Sequence, residues 1–245
     1  MFEEAVTQLF DFNAVLQGRA LSGSEQQLLE AVFATGIDYS RIRLIRTNIL
    51  EYRTIGNNIR VPDKFTVRDA EMAQALVHEA THVWQYQQGG TAYISQSLAA
   101  QLAAKITLGS RNFAYSYTIA GRQSFFDFDP EQQGALVENY YAMVRDLPLA
   151  QVDVTAGRRG YYYSVHRGAD GFPILLSAAD RLVEIARELP LHEKFVRQLQ
   201  TAVPRAEADL LSERATQVVR LPSSADTLGR GTEPLPIKPV LEVRF

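Results

Sequence analysis

Apolar residues recur about every three to four positions along much of this chain, which is the pattern of helices with one buried face. In 22–35 the pattern predicts a helix with Ser24 as its N-cap and Gly36 just beyond its end. A second strong helix start follows Asp129, which can act as a cap, because Pro130 suits the first helical position. The same periodicity predicts further helices at 67–87, 92–109, 177–189, 192–201 and 205–219.

Short alternating or apolar runs predict strands at 41–46 and 57–62, and a strand or an extended loop at 161–167. The first two precede the long helix at 67–87, so we expect a small antiparallel sheet beside that helix. The fold class is therefore α+β and mainly helical. After Arg220 the periodicity is lost, and 221–245 holds four of the chain's ten prolines. The expected organisation is one domain over 1–220, followed by an extended proline-rich tail over 221–245.

Composition and charge exclude several classes of function. The 245 residues are 46% hydrophobic and carry a formal net charge of −3, which gives no electrostatic basis for binding nucleic acid or an anionic membrane. No stretch reaches the ~20 apolar residues that a membrane span needs, and the acidic start of the chain does not resemble a signal peptide. Because the chain has no cysteine, only His, Asp or Glu side chains are available to hold a metal. These features indicate a cytoplasmic protein, with non-classical export left open.

The segment LVHEATHVWQYQ, at 76–87, contains two of the four histidines, His78 and His82, with Glu79 directly after the first. Residues four apart share one face of a helix, so both rings can reach one cation. Glu79 projects about 100° away, beside a metal-bound water, where a general base belongs. The pattern predicts a Zn²⁺ site in which Glu79 accepts the proton of a water that attacks a carbonyl. The competing interpretation is an ordinary amphipathic helix with two half-exposed histidines.

A catalytic zinc usually has three protein ligands and one open position. A third histidine of the HExxHxxGxxH type is absent, because position 88 is glutamine. The third ligand is then a carboxylate or one of His166 and His192. Glu131 is favoured because it opens a helix, which would constrain its side chain. Glu138, two turns further along a similar face, is the main alternative.

Other side chains are candidates for supporting roles. His166 could donate to a developing oxyanion, although a histidine on a surface strand is the more common explanation. Tyr140 and Tyr141 could donate to a tetrahedral intermediate, although tyrosines on a helix more often pack against the core. A peptide substrate would lie antiparallel along an edge strand such as 57–62.

These motifs resemble a known group of proteins. The HExxH segment, followed 49 residues after His82 by DPEQQGALVENYY, is similar to gluzincin-like metallopeptidases of bacteria. The likeness is to Vgr-related proteins and core domains of contractile injection systems, and more distantly to prenyl-protein proteases. It covers about 21–141, including the lead-in LSGSEQQLLEAVFATGIDYSRIRL. The resemblance implies a zincin-like fold, with Glu131 as the third zinc ligand.

The chain departs from this group at one position. The relatives often carry aspartate where this chain has Ala135, and that aspartate would orient a ligand histidine through a hydrogen bond. We expect Asn139 or Asp127 to take its place.

Two classes of function follow from these observations. In the first, the protein is a zinc-dependent peptidase that cleaves a peptide or protein substrate. In the second, it is a zinc-stabilised structural or effector-associated module of a secretion or phage-like assembly, with little or no catalysis. An inert helical protein would require both the HExxH pattern and the spaced glutamate to be accidental.

Overall fold

The computed structural model describes residues 18–48, 52–90 and 114–206. The helices are α1 (Gly23–Phe33), α2 (Ala70–Gly89), α3 (Pro130–Thr155) and α4 (Ala178–Gln200), and the strands are β1 (Arg43–Thr47), β2 (Arg53–Ile55), β3 (Asn58–Pro62), β4 (Tyr161–Arg167) and β5 (Pro173–Ser177). The predicted helix at 92–109, the tail at 221–245 and nearly all of the predicted helix at 205–219 lie outside the described residues. About half of the described residues are helical, which confirms the α+β class.

Helix α1 begins two residues earlier than the predicted N-cap, Ser24, implied. Ser22, not Ser24, is the N-cap, and its hydroxyl accepts a hydrogen bond from the backbone N–H of Glu25. The Glu25 carboxylate in turn accepts from the backbone N–H of Ser22 at 2.7 Å and pairs with Arg19 at 2.6 Å. This reciprocal arrangement needs a Glu or Gln three residues after the cap. The sequence offers one for each serine, Glu25 for Ser22 and Gln27 for Ser24, and the pair that forms is Ser22 with Glu25.

The sheet before α2 is mixed, and the prediction of an antiparallel sheet is wrong in part. Its order is β1-β3-β2; β3 pairs with β1 in parallel and with β2 antiparallel. The short strand β2 turns into β3 through Gly56, whose positive φ of 62° suits glycine. Because β3 is the central strand, the segment at 57–62 cannot be the edge along which a substrate lies; β1 and β2 are the edges.

Helix α2 lies at the centre of the described fold. Its N-cap is Asp69, and almost every residue from Leu76 to Gln87 is buried. It packs against α3 on one side and against the sheet on another. The Trp84 indole N–H donates to the backbone carbonyl of Leu199 in α4 at 3.3 Å. The core includes Leu29, Phe33, Ile42, Leu44, Ile59, Leu76, Leu136, Phe195 and Leu199.

After α3, the described chain forms a hairpin, β4–β5, and then one long helix, α4. The sequence predicted two helices, at 177–189 and 192–201, but α4 runs through Pro190 without a break. Proline removes one helical hydrogen bond and usually interrupts a helix. Here Ile185, before the proline, and Val196, after it, are both buried. Their spacing of 11 residues is close to three turns, so both halves are held on one core face.

Among the described residues, no helix has both the length and the apolar character to cross a membrane.

Candidate metal centre

Three side chains that could ligate a metal converge between α2 and α3. One ligand atom from each of His78, His82 and Glu131 lies within 4.8 Å of the others, and all three residues are buried. Glu131 Oε2 is 3.4 Å from His78 Nε2 and 3.7 Å from His82 Nε2. Two atoms about 2.0–2.1 Å from one tetrahedral zinc lie roughly 3.3–3.4 Å apart. The donor set and its spacing therefore fit a zinc ion with little movement.

Local structure explains why these atoms meet. His78 and His82 are one turn apart on α2, and their rings are 5.2 Å apart, centroid to centroid. Glu131 follows Pro130 in the first turn of α3, which packs against α2. The sequence thus placed the favoured third ligand at a position that the structure brings to the two histidines.

Each histidine has a hydrogen-bond partner on its other ring nitrogen. His78 Nδ1 donates to Glu138 Oε2 at 3.0 Å, and His82 Nδ1 donates to Gln85 Oε1 at 2.8 Å. These bonds leave the Nε2 lone pairs directed toward Glu131, and such partners orient ligand histidines in metal sites. Glu138, the alternative third ligand, therefore has a different role in this geometry, because it binds the far side of the His78 ring.

The expectation that Asn139 or Asp127 orients a ligand histidine does not match the structure. Asn139 Nδ2 donates to the Tyr117 hydroxyl at 2.7 Å, and Asp127 accepts from the backbone N–H of Ser124 at 2.9 Å. Glu138 lies seven residues after Glu131, a separation of two turns, whereas Ala135 is one turn away. A longer side chain one turn further along α3 thus reaches the ring that an aspartate at 135 would orient.

The electrostatics of the cluster favour a cation. Burial by itself lowers the pKa of His78, but its hydrogen bonds to Glu131 and Glu138 outweigh burial and raise this pKa to about 10. Burial by itself raises the pKa of Glu131, but contacts with His78 and His82 hold that pKa far below its usual value. The position between the three side chains is one where positive charge, as a proton or a metal ion, is stabilised.

Gly134 leaves the space in which the His78 ring lies against α3. A Cβ atom at this position would lie 2.6 Å from Cε1 and 2.8 Å from Nε2 of His78, closer than any normal contact. The imidazole therefore lies directly against the backbone of α3, and any larger residue at 134 would displace it.

Glu79, the expected general base, is buried but is outside the three-ligand group. The Thr54 hydroxyl, on the edge strand β2, is 2.7 Å from Glu79 Oε2 and 3.1 Å from the backbone carbonyl of Glu79. This contact joins the edge strand to the HExxH helix and limits the rotation of the carboxylate. The sequence offered no signal for Thr54, because 25 residues separate the two partners.

Tyr115 is a second residue that the sequence did not single out. Its ring packs edge-on against His78, with 5.5 Å between the ring centroids. Burial is the largest cause that raises the pKa of Tyr115, and Glu131 adds to it, so the hydroxyl stays protonated at neutral pH. Among the described residues its hydroxyl has no hydrogen-bond partner.

Two predicted supporting residues lie elsewhere. His166 is 55% exposed and its Nε2 is 3.3 Å from Glu188 Oε1. Tyr140 is half-buried and packs against the core. Burial raises the pKa of its hydroxyl, and Glu193 of α4 adds to this rise. Nine residues after Glu131, Tyr140 faces the opposite side of α3. The structure does not bring either side chain to the three-ligand group.

Comparison with known proteins gives one informative similarity. No family model matches the chain. Over 136 residues, 51% of this chain, it is 29% identical to the type VI secretion system spike protein VgrG2b of Pseudomonas aeruginosa. The matched region is 13% of the length of that spike protein. A solved structure, the effector domain of the same VgrG2b, is 26% identical, with a TM-score of 0.45, and covers 58% of this chain and 84% of that chain.

This similarity confirms the Vgr-related part of the resemblance. The gluzincin-like metallopeptidase part, the zincin-like details of the fold and the role of each site residue stay predictions.

Proposed function

We propose that this chain is an effector-associated module of a type VI-like secretion spike, and that its metal centre holds zinc and hydrolyses peptide bonds. Similarity to the spike protein VgrG2b, and to the domain of it described as an effector domain, supports the first part. The convergence of His78, His82 and Glu131, with Glu79 beside them, supports the second part. The effector association has the stronger support, because peptide hydrolysis rests on the site alone.

The residues around the centre fit the requirements of peptide hydrolysis. His78, His82 and Glu131 would hold the ion, and zinc, when bound, supplies a water whose pKa is lowered to about 7. Glu79 would accept the proton of the water that attacks the carbonyl carbon, and would then pass it to the nitrogen of the peptide bond as the C–N bond breaks, so that the amine leaves neutral. Thr54 keeps the Glu79 carboxylate in place through its hydroxyl.

Tyr115 supplies the remaining requirement. Attack on a peptide carbonyl leaves negative charge on the carbonyl oxygen, and a protonated donor close to the metal ligands stabilises it. Tyr115 packs against the ring of His78 and stays protonated at neutral pH. We therefore assign to Tyr115 the donor role for which the sequence suggested His166 or Tyr140.

The second candidate function is a zinc-stabilised module without catalysis. A buried group of two histidines and a carboxylate joins α2 to α3, so zinc would hold these two helices together whether or not a reaction follows. The relative is a spike protein with an effector domain. Similarity to it therefore agrees with a module that has no catalytic activity as well as with a peptidase.

Zinc-loaded protein and its Glu79→Gln variant, tested with a broad set of fluorogenic peptides, separate these functions. If the chain is a peptidase, Glu79→Gln keeps its zinc and its fold but loses about 10²–10⁴-fold in cleavage rate, because glutamine cannot accept a proton. If neither protein cleaves any peptide while both hold zinc, the non-catalytic module replaces the peptidase.

The route to a target is part of the same proposal. The sequence predicted a cytoplasmic protein with non-classical export left open. If the chain is an effector module, export occurs with the spike, which detection of the chain in culture supernatants of cells with and without a working secretion system would test.

A further inference from the structure

Arg167, the last residue of β4, lies beside the metal centre but has no part in the ligand set or in the proton transfer described above. We propose that Arg167 forms a subsite for a carboxylate of the substrate, either an acidic side chain or the C-terminal carboxylate of a peptide. This inference rests on the proposed peptidase function and adds a preference among its substrates.

Arg167 lies close enough to the metal centre to contact a bound substrate. Its guanidinium carbon is 5.6 Å from the centroid of the Tyr115 ring, and that ring is 5.5 Å from the ring of His78. The guanidinium and the ring of a proposed metal ligand thus contact the same tyrosine ring. An extended peptide advances about 3.3–3.4 Å per residue. A carboxylate bound by Arg167 therefore belongs to a residue within about three positions of the cleaved bond.

The Arg167 guanidinium also has N–H groups that do not donate hydrogen bonds to the described residues. It has five N–H donors, and one nitrogen, Nη1, donates to the backbone carbonyl of Gly171 at 2.9 Å. No carboxylate of the described residues forms an ion pair with Arg167. The neighbouring arginines differ, because Arg187 pairs with Glu188 at 2.9 Å and Arg158 contacts Asp153 at 3.8 Å.

Arg167 is held in place before any substrate arrives. The pairing of β4 with β5 shifts register between Tyr163 and Arg167, and such irregularities re-aim side chains near functional sites. The bond to Gly171 and the contact with the Tyr115 ring then fix the planar group at two points. A guanidinium fixed in this way loses little freedom when it binds a carboxylate in a bidentate manner.

Because the charged side chains around the metal centre are unevenly distributed, we expect the preference for a carboxylate to depend on its position in the peptide. Glu79, Glu131 and Glu138 place negative charge around His78, and the positive charge of a bound zinc ion would offset much of it. Arg167 gives one side of the centre on which a carboxylate is stabilised. We therefore expect acidic residues to be favoured at one substrate position rather than throughout the peptide.

The test uses the full zinc-loaded chain and uncharged, fluorogenic ten-residue peptides in which one Glu occupies each position in turn. Each has a matched peptide with Gln at the same place, and a second set has a free or an amidated C-terminus. We expect kcat/KM to favour the carboxylate at one position by roughly 10-fold, as for a charge-assisted hydrogen bond. The two peptide sets distinguish a side-chain carboxylate from a terminal one.

Arg167→Met should remove this preference, so that kcat/KM for the matched Glu and Gln peptides becomes equal within about twofold, because only the Glu peptide uses the charge-dependent contact. Arg159→Met is the control, since Arg159 is an exposed arginine in the turn before β4 and its loss changes net charge equally. The subsite is overturned if Arg167→Met slows Glu and Gln peptides equally, or if Arg159→Met removes the preference to the same extent.

Peptide binding to zinc-loaded Glu79→Gln protein, measured by fluorescence anisotropy, provides a readout that does not require turnover. Roughly 10-fold tighter binding of the carboxylate peptide, lost in Glu79→Gln/Arg167→Met, supports the subsite even if the parent protein cleaves nothing. In that case the proposed peptidase function fails and the subsite stands. Equal binding of all Glu and Gln peptides overturns the subsite, whatever the cleavage assay shows.

Discussion

Two buried acidic clusters lie at different points along α3, and they obtain positive charge in different ways. At the start of the helix, Glu131 and Glu138 face the imidazoles of α2. Further along, Asp146 faces Arg181 of α4 at 3.1 Å, and Glu184 binds the same guanidinium. A guanidinium is always charged, whereas an imidazole is charged only when it is protonated; as a metal ligand it is neutral and the metal ion carries the positive charge.

The difference explains what each cluster can do. Arg181 is almost fully buried and pairs with both Asp146 and Glu184, and Arg145 pairs with Asp146 at 2.8 Å, so two permanent cations balance the two carboxylates of the second cluster without a ligand. The first cluster depends on a proton on His78, whose pKa is raised to about 10, or on a metal in its place. The first is therefore suited to exchange of ions, and the second to holding α3, α4 and β4 together.

The largest expected effect comes from removing the buried guanidinium of Arg181. Arg181→Met leaves Glu184 buried without a counter-charge and leaves Asp146 with its pair to Arg145 alone, so we expect a loss of about 3–5 kcal/mol in the free energy of unfolding. Urea denaturation measures this loss, and added zinc should not restore it. The matched control is Arg187→Met, because Arg187 is 64% exposed and its pair with Glu188 should contribute at most about 1 kcal/mol. Equal losses in both variants would contradict the comparison.

Removal of the metal should have the next largest effect on the free energy of unfolding. This effect should depend only on the first cluster, which holds the metal. With zinc at about 100–1,000 times its dissociation constant, binding to the folded state adds about 2.7–4.1 kcal/mol. Thermal unfolding with and without a chelator should show this difference in the parent chain. The double variant His78→Ala/His82→Ala should show almost none, and an unchanged chelator response in it would place the metal elsewhere.

A smaller effect is expected from the hydrogen bond that orients His78. Glu138→Gln keeps the length of the side chain but replaces a charged acceptor by a neutral one. We expect zinc affinity to fall about 10–100-fold, the usual cost of such a change. Competition with a chromogenic chelator measures this affinity. Asn139→Ala is the neighbouring control, because Asn139 contacts Tyr117 instead, and an equal loss there would remove the special role of Glu138.

The smallest effect concerns an ion pair outside both clusters. Burial is the largest influence on the pKa of Glu25 and raises it, but contacts with Arg19 and Ser22 together hold this pKa below its usual value. A lowered pKa in the folded state means that the stabilisation is present above the unfolded value and is lost as pH falls through the folded one. The stability difference between the parent and Glu25→Gln, at most about 1 kcal/mol at pH 7, should narrow below pH ~4.

The sequence could predict those parts of the site that depend on spacing within one helix. The four-residue separation of His78 and His82, and the helix start before Glu131, follow from local rules, and the structure brings these three side chains together. Thr54 and Tyr115 come from other elements, and only tertiary packing places them near α2.

The fold shows the same division between local and tertiary information. Most helix positions were predictable from apolar periodicity, but the parallel pairing of β1 with β3 and the continuation of α4 through Pro190 depend on long-range contacts. Glu138 shows the same division. Its place on a helix face was predictable from the sequence, but whether it ligates the metal or orients His78 was not.

The zinc content of purified protein, measured per chain after identical dialysis for the parent, Glu79→Gln and Glu131→Gln, tests the central claim most directly. The account predicts one zinc per chain in the parent and in Glu79→Gln, because Glu79 is not a ligand. It predicts much less than one in Glu131→Gln, which loses a charged ligand between the two histidines. Full zinc in Glu131→Gln, or a loss in Glu79→Gln as large as that in Glu131→Gln, would contradict it.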